Sequence, residues 1–221
     1  TPLYSSAASD VYKRQGYGHV FPDSLTSNTI AAIESFTGIL MLALATGLIY
    51  GRFSQPKAYI KYSSIALFTP FKDGYALMFR FAPFKEHFLT DVEVKVTCVM
   101  RYTENEMERK NAFYSLDLEL AKANTLTSNW TIVHSINEKS PFYQLTRKEI
   151  TDAETEILVF VKGYDEEYAN TVVSRTSYTY EEFIYGAKFN MMFEPSEDKT
   201  TTILHMDKID SYHEEKLPVS I

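Results

Sequence analysis

The sequence predicts one membrane-spanning α-helix followed by an all-β domain of sandwich type. Glu34 is the only acidic or basic residue between Ile30 and Tyr50, which is the composition of a helix that crosses a bilayer. After Pro56, several stretches place apolar residues at every second position, which is the period of strands with one buried face. The 221 residues are enough for one sizeable domain and one smaller element.

The predicted membrane helix occupies residues 24–55. About 20 apolar residues cross a hydrocarbon core of roughly 30 Å, and lipid offers no partners to backbone groups, so a single span has to be helical. Asp23 precedes the helix, whereas Arg52 lies near its end and Lys57 and Lys61 follow it. The positive-inside rule therefore places the C-terminal side in the cytoplasm. The alternative is a buried core helix of a soluble protein.

The second part of the chain has the signals of a β-sandwich. Asp91–Met100 alternates polar and apolar residues, as a half-buried strand does. Asp73-Gly74 lies between two strand-like runs and predicts a hairpin. Ile157–Val161 is continuously apolar, which is consistent with a strand covered on both faces. Thr146 and Glu149 have the spacing of a capping box and predict one short helix.

Composition excludes several classes of function. The net charge of -7 argues against a nucleic-acid-binding surface. A single cysteine, Cys98, cannot form an internal disulfide, and the five histidines have no zinc-ligand spacing. We find no set of acid, base and nucleophile, and predict neither an enzyme nor a cofactor. The acidic run Asp165-Glu166-Glu167 is either a cation site or a solvated turn.

The first fifteen residues differ from the rest of the chain. They read TPLYSSAASDVYKRQ and have neither a hydrophobic period nor the apolar core of a signal peptide. The run DVYKRQ resembles the in-frame translation of an adaptor used to prepare sequencing libraries. We therefore expect residues 1–15 to be foreign; the alternative is a disordered native tail.

A Gly-Tyr-Gly motif precedes the predicted membrane helix. Gly16-Tyr17-Gly18 lies about a dozen residues before the apolar run, the arrangement of loops whose backbone carbonyls replace the water shell of potassium. Glycine suits such a loop, because carbonyls that all point inward need backbone angles that side chains forbid.

Five segments carry a resemblance to a known family. They are Gly16–Pro22, the helix ending Thr46–Pro56, Leu77–Arg80, Thr131–His134 and Ser140–Phe142. Together these segments resemble the prokaryotic inward-rectifier potassium channels, and the resemblance covers nearly all of the chain after residue 15. It implies an immunoglobulin-like sandwich, a homotetramer whose cytoplasmic domains extend the pore, and a place in the cell membrane with K⁺ as the permeant ion.

The resemblance divides the chain into four segments. Residues 1–15 are the foreign or disordered segment, 16–23 the end of a selectivity filter and its outer loop, 24–55 the inner helix, and 56–221 the cytoplasmic domain with an acidic C-terminal tail. The family filter begins with Thr-Val or Thr-Ile, but this sequence has Arg14-Gln15 at those positions. We expect a truncated channel that lacks the outer helix and the pore helix and does not conduct as written.

The resemblance also assigns conduction and gating positions. Gly16, Tyr17 and Gly18 coordinate K⁺ through their carbonyls. Tyr50 aligns with the bulky residue at the crossing of the four inner helices, and the alternative is a tyrosine anchored at the headgroup level. Gly163-Tyr164 matches a glycine-containing loop that forms a second constriction.

Basic residues after the helix match the family's lipid-facing positions. Arg52, Lys57 and Lys61 lie where family members contact anionic headgroups, each contact being worth about 1 kcal/mol. Simple positive-inside anchoring explains the same residues, and both roles are compatible.

Three further positions bear on rectification, which arises when polycations lodge against acidic rings in the pore. Leu42 aligns with the acidic position of strong rectifiers, and Lys162 replaces an acid beside the glycine loop. Glu34 is the only acid left on the inner helix. We therefore predict weak rectification.

The rival interpretation of the whole chain is a membrane-tethered β-sandwich that acts as a binding or scaffold module.

Overall fold

The computed structural model describes residues 23–84, 88–105 and 108–218. The chain forms two compact units, and the boundary between them lies between Gln55 and Pro56. Residues 1–15 and the Gly16-Tyr17-Gly18 motif lie outside the described residues, so the hypotheses about them stay predictions.

Helix α1, Leu25–Phe53, accounts for the described part of the first unit. Its 29 residues correspond to about 44 Å at 1.5 Å per residue. The hydroxyl of Ser24 accepts from the backbone N–H of Ser27, and the Ser27 hydroxyl accepts in return from the Ser24 N–H. The helix is long and apolar enough to cross a membrane, by length and composition. None of its residues is buried, which does not agree with the alternative of a soluble core helix.

The second unit is β-rich, as predicted. In chain order its elements are β1 (Ile60–Tyr62), β2 (Ala66–Phe71), β3 (Gly74–Pro83), β4 (Leu89–Asn105), β5 (Glu108–Ser115), β6 (Lys122–Leu126), β7 (Trp130–Ser135), α2 (Arg147–Asp152), β8 (Glu156–Asp165), β9 (Asn170–Thr179), β10 (Phe183–Tyr185), β11 (Ala187–Phe189), β12 (Phe193–Pro195), β13 (Thr202–Leu204) and β14 (Tyr212–Glu214). Two short 3-10 turns, Tyr180–Glu182 and Met206–Asp210, complete the described elements.

Strand β3 is the centre of the first five-stranded sheet. It pairs antiparallel with β7 along one edge and with β1 and β2 along the other. Strand β10 joins β2 in parallel, with Phe183 opposite Ala66. The hairpin predicted at Asp73-Gly74 is present, with Lys72 and Asp73 as its loop and Gly74 as the first residue of β3.

Strand β4 is the centre of the second sheet. It pairs with β8 along one edge and with β5 and β6 along the other, and β9 lies beyond β8. Val92, Val94 and Val96 are buried, whereas Asp91 and Lys95 are exposed. The predicted half-buried strand is therefore confirmed.

Both sheets contribute to one apolar core. Phe79 and Phe81 of the first sheet belong to the same buried cluster as Val94 and Ile157 of the second. Cys98 lies in this core with no exposed surface, and its burial raises the pKa of the thiol to about 12. Burial of such side chains is the main stabilising contribution to a domain of this kind.

The prediction that Ile157–Val161 is covered on both faces is wrong for the single chain. Ile157, Val159 and Val161 are buried, but Leu158 is 38% exposed and Phe160 is only partly covered. The apolar run therefore has one face in the core and one face outside, because only one side of the second sheet packs against the first.

The predicted capping box is present at the start of α2. The Thr146 hydroxyl accepts from the Glu149 N–H at 3.3 Å, and the Glu149 carboxylate accepts from the Thr146 N–H at 2.7 Å. The Thr146 hydroxyl also donates to this carboxylate at 2.7 Å, and the two bonds that the carboxylate accepts lower the pKa of Glu149. Ile150 is fully buried and attaches this short helix to the core.

Candidate gating and rectification residues

Tyr50 lies on the last turns of α1, next to two glycines. Its side chain is 73% exposed, and the Ser54 hydroxyl donates to its carbonyl at 2.8 Å. A Cβ added at Gly47 or Gly51 would meet no atom within 4 Å. A groove of about 550 Å³ therefore follows this side of the helix, lined by Gly47, Leu48, Gly51, Arg52 and Gln55. The gate role of Tyr50 stays a prediction.

The helix positions predicted for the pore do not share one face. Successive α-helical residues are turned by about 100°, so Leu42 and Tyr50 project about 80° apart and Glu34 and Tyr50 about 160° apart. Leu42 and Tyr50 fit a common pore-lining face, whereas Glu34 points nearly opposite to Tyr50. The three predicted pore positions therefore cannot all lie on one face of a straight helix.

The three predicted lipid-headgroup residues are all exposed. Arg52 lies in the last turn of α1, Lys57 follows the helix, and Lys61 lies in β1. The Lys61 ammonium donates to the Met206 carbonyl at 3.3 Å. Of the three, Lys61 thus has a partner within its own domain.

Gly163 and Tyr164 lie in a strand rather than in the predicted loop. Both belong to β8, opposite Val172 and Thr171 of β9, and the turn itself is made by residues 166–169. The structure corrects their placement, because the β8–β9 ladder continues to Asp165; the gate role stays a prediction.

Position 163 has little room for a side chain because a neighbouring strand approaches it closely. The register of β4 against β8 shifts between Thr90 and Glu93, where Asp91 takes a positive φ of 48°. A Cβ on Gly163 would lie 3.3 Å from the Leu89 Cβ and 3.4 Å from a Val92 methyl. The bulge in β4 and the glycine in β8 therefore fit together.

Asp165 shapes the turn that follows. It is 1% exposed, and its Oδ1 accepts from the N–H groups of Glu167 and Tyr168 at 3.0 and 3.2 Å, while Oδ2 has no partner. Among the described residues, no three or more His, Cys, Asp or Glu side chains lie close enough together to hold a metal ion. The alternative of a solvated turn fits Glu166 and Glu167, which are exposed and lie in the turn, whereas Asp165 is a buried residue that forms the turn.

Lys162 faces a polar cleft with a mixed charge pattern. Its cross-strand neighbour is Glu93, whose carboxylate lies 3.5 Å from the Lys122 ammonium and 3.9 Å from that of Lys95. The cleft has a volume of about 420 Å³ and is lined by residues of β4, β6, β8 and β9. Within the described residues Lys162 forms no ion pair. Sequence reasoning missed Glu93, Lys95 and Lys122, because Lys122 meets Glu93 only through the pairing of β6 with β4.

His134 and Ser140, both in segments that carry the resemblance, contact each other. The His134 Nε2 lies 2.8 Å from the Ser140 hydroxyl, and Nδ1 lies 2.7 Å from the Asp117 carbonyl. The Ser140 hydroxyl also accepts from the Phe142 N–H. The two segments are thus one hydrogen-bonded unit that closes the end of β7.

A model of the inward rectifier potassium channel C-terminal domain matches residues 60–219. The chain belongs to the inward rectifier potassium channel family.

Two kinds of relative illustrate the family. The inward rectifier potassium channel Kirbac3.1 of Paramagnetospirillum magnetotacticum is 30% identical over 178 residues, which cover 80% of this chain and 60% of the relative. The human G protein-activated inward rectifier potassium channel 1 is 28% identical over 79% of this chain and 36% of its own length. Channel 4 of Bos taurus is 26% identical over 71% and 39%. The chain thus spans 60% or less of the length of each of these relatives.

These family relatives are ion channels rather than enzymes, which agrees with the absence of a catalytic set in the sequence.

Among solved structures, the sporulation control protein Spo0M of Bacillus subtilis is 7% identical, with a TM-score of 0.30 over 57% of this chain and 49% of that protein. So low a score carries no argument about the fold or the function.

Proposed function

We propose that this chain is part of a subunit of a potassium channel that conducts K⁺ passively. The observation that carries the proposal is the family match over residues 60–219, directly after a helix of membrane-spanning length. The channel resides in the cell membrane, with the β-rich domain in the cytoplasm, because the basic residues follow the helix.

The β-rich domain is proposed to be an immunoglobulin-like sandwich that assembles as a homotetramer. Two five-stranded sheets with one shared core support this. Four such domains around an axis continue the pore into the cytoplasm. Gly16, Tyr17 and Gly18 are proposed to coordinate K⁺ through their carbonyls.

Two constrictions are proposed to close this pore. Four Tyr50 side chains at the crossing of the inner helices block it sterically and exclude water. The exposure of Tyr50 beside Gly47 and Gly51 supports this, since small residues permit close helix packing. The second constriction lies at the β8–β9 turn next to Gly163 and Tyr164.

Anionic lipid headgroups are the proposed partners of Arg52, Lys57 and Lys61. Their exposure supports the proposal. A negatively charged leaflet attracts such residues within a Debye length of its surface.

The channel is proposed to rectify weakly. Lys162 stands where strong rectifiers carry an acid, and Lys95 and Lys122 offset the charge of Glu93 in the same cleft. Lysines at the pore repel polyamines by like charge. Leu42 adds no acid to the inner helix.

Ion flux through a completed subunit tests the proposal. Residues 16–221 are joined to the part of the Paramagnetospirillum channel that precedes its corresponding filter motif, and the chimera is reconstituted into liposomes. We expect uptake of rubidium but not of sodium, and loss of uptake in a Gly18→Val variant, whose side chain does not fit the filter backbone. A folded chimera that stays monomeric and passes no rubidium would instead support the membrane-tethered binding module.

A further inference from the structure

The C-terminal residues cover the outer face of the first sheet. Phe79 and Phe81 of β3 point into the core, so Arg80 and Ala82 point to the opposite face. Arg80 is nevertheless only 2% exposed. What covers it is the segment of residues 187–214, which contains the β11–β14 and β12–β13 pairs and is called the C-terminal clasp below.

The Arg80 guanidinium is bonded to four carbonyls of the clasp. Nε donates to Ile209 at 2.7 Å, Nη1 to Asn190 at 2.6 Å, and Nη2 to Lys208 at 2.5 Å and Ser211 at 3.1 Å. Four of the five N–H donors of an arginine are thereby used. One side chain of β3 thus connects both ends of the clasp.

Two further interactions fix the guanidinium in place. It stacks over the Phe189 ring at 4.3 Å from the ring centre. Burial lowers its pKa to about 10, and the nearby Asp210 carboxylate opposes that shift, so Arg80 is charged at neutral pH. Hydrogen bonds to a charged donor are stronger than neutral ones.

Apart from Arg80, the clasp buries few apolar side chains, although its strand β11 also lies against β2. Met192 and Ile209 pack on Ala82 as a separate apolar cluster, apart from the main core. The Ser64 N–H donates to the Asp210 carboxylate at 2.6 Å, and Lys61 donates to the Met206 carbonyl. A segment with few buried apolar contacts opens at lower free energy than the core does.

Both ends of the clasp meet at Gly186. This glycine has a φ of +70° and follows β10 directly. Its N–H donates to the Phe68 carbonyl, and its own carbonyl accepts from the Glu215 N–H, each at 2.9 Å. The two ends of the clasp are therefore joined at one residue next to the first sheet.

We propose that the C-terminal clasp opens and closes on the first sheet as a unit, and that Arg80 is the positioning residue that holds it closed. Opening frees Lys61, which lies in β1, and Ser64, which follows β1. Strand β1 is the first strand after the membrane helix in the chain. The clasp thus restrains the strand into which the helix leads. This inference does not depend on ion conduction.

Hydrogen exchange of the full chain in lipid nanodiscs tests the clasp. In an Arg80→Met variant we expect the amides of residues 190–211 to exchange about tenfold faster or more, because several charge-assisted bonds are lost. The amides of residues 60–64 should also exchange faster, whereas those of β8 should keep their wild-type rates. Trypsin should cleave faster after Lys208. Arg147→Met is the matched control, since Arg147 lies over the Tyr185 ring outside the clasp.

Two more variants keep the result decisive. Arg80→Lys keeps the charge but not the fork of donors, so its exchange rates should fall between those of wild type and Arg80→Met. Asp210→Ala removes the acceptor of the Ser64 N–H and the carboxylate near Arg80, so it should raise exchange at Ser64 and in the clasp but not in β8, even if Arg80→Met does not fold. Unchanged exchange in the clasp, or an equal rise in β8, would overturn the proposal.

Discussion

His134 is a buried side chain with both ring nitrogens occupied. Nδ1 faces the Asp117 carbonyl and must donate to it, so Nε2 accepts from the Ser140 hydroxyl. This arrangement needs a neutral ring. Burial lowers the pKa of His134, and the hydrogen bond to the Asp117 carbonyl only partly opposes that shift.

The thermal stability of the chain should therefore fall below about pH 6.5, the pKa of an unfolded histidine. As pH decreases, the His134 imidazole of the unfolded state binds a proton at a higher pH than that of the folded state does. The contribution to stability that is present above about pH 6.5 is therefore lost. Scanning fluorimetry measures the midpoint temperature of unfolding. Between neutral and mildly acidic pH, this temperature should fall less for His134→Gln than for wild type. Parallel curves for wild type and His134→Gln would contradict this.

Lys162 should weaken block by polyamines. In the conducting chimera, Lys162→Glu should strengthen voltage-dependent block by spermine on the order of tenfold, since four subunits each replace a repelling charge with an attracting one. The charge-matched control is Lys148→Glu in α2. Strong spermine block of the unmodified chimera, retained in Lys162→Ala, would refute the prediction.

At the scale of secondary-structure elements, β4 and β8 depend on the absence of a side chain at position 163. Gly163→Ala should destabilise the domain by about 1–3 kcal/mol, because the new methyl group crowds Leu89 and Val92. Gly74→Ala is the control, since its methyl group would meet no atom within 4 Å. Urea unfolding measures both, and equal midpoints for the two variants would contradict the close approach.

Features that depend on residues close together in the sequence were predictable from it. Features that depend on residues far apart in the sequence were not. The caps at Ser24 and Thr146 and the hairpin at Gly74 depend on residues within four positions of one another. Arg80, in contrast, binds carbonyls 110 to 131 positions away. No local pattern signals such a contact. The one-sided burial of β8 was missed for the same reason, since the layer that covers one of its faces comes from a different part of the chain.

At the scale of the whole molecule, the second sheet exposes apolar side chains on its outer face. Phe113 is 65% exposed and Leu158 is 38% exposed in the single chain. Apolar surface of this kind is typical of interfaces between proteins. If the chain assembles as proposed, we expect neighbouring subunits to cover this surface.

The assembled fraction should therefore depend on Leu158. Leu158→Lys should lower the share of tetramer in native mass spectra of the chimera, because a lysine in an apolar interface has to be desolvated. Leu120→Lys, at a leucine that is 57% exposed outside the second sheet, serves as the control. Equal tetramer shares for both variants would place the subunit contact elsewhere.

The burial of Cys98 makes the chain a ready host for site-specific labels. A thiol with no exposed surface and a pKa near 12 does not react with maleimides at neutral pH, so the native cysteine can stay in place. A cysteine introduced for Tyr50 would then be the only reactive one among the described residues. Spin labels at that position would report distances between subunits, and with them the width of the passage, as lipid or pH is varied.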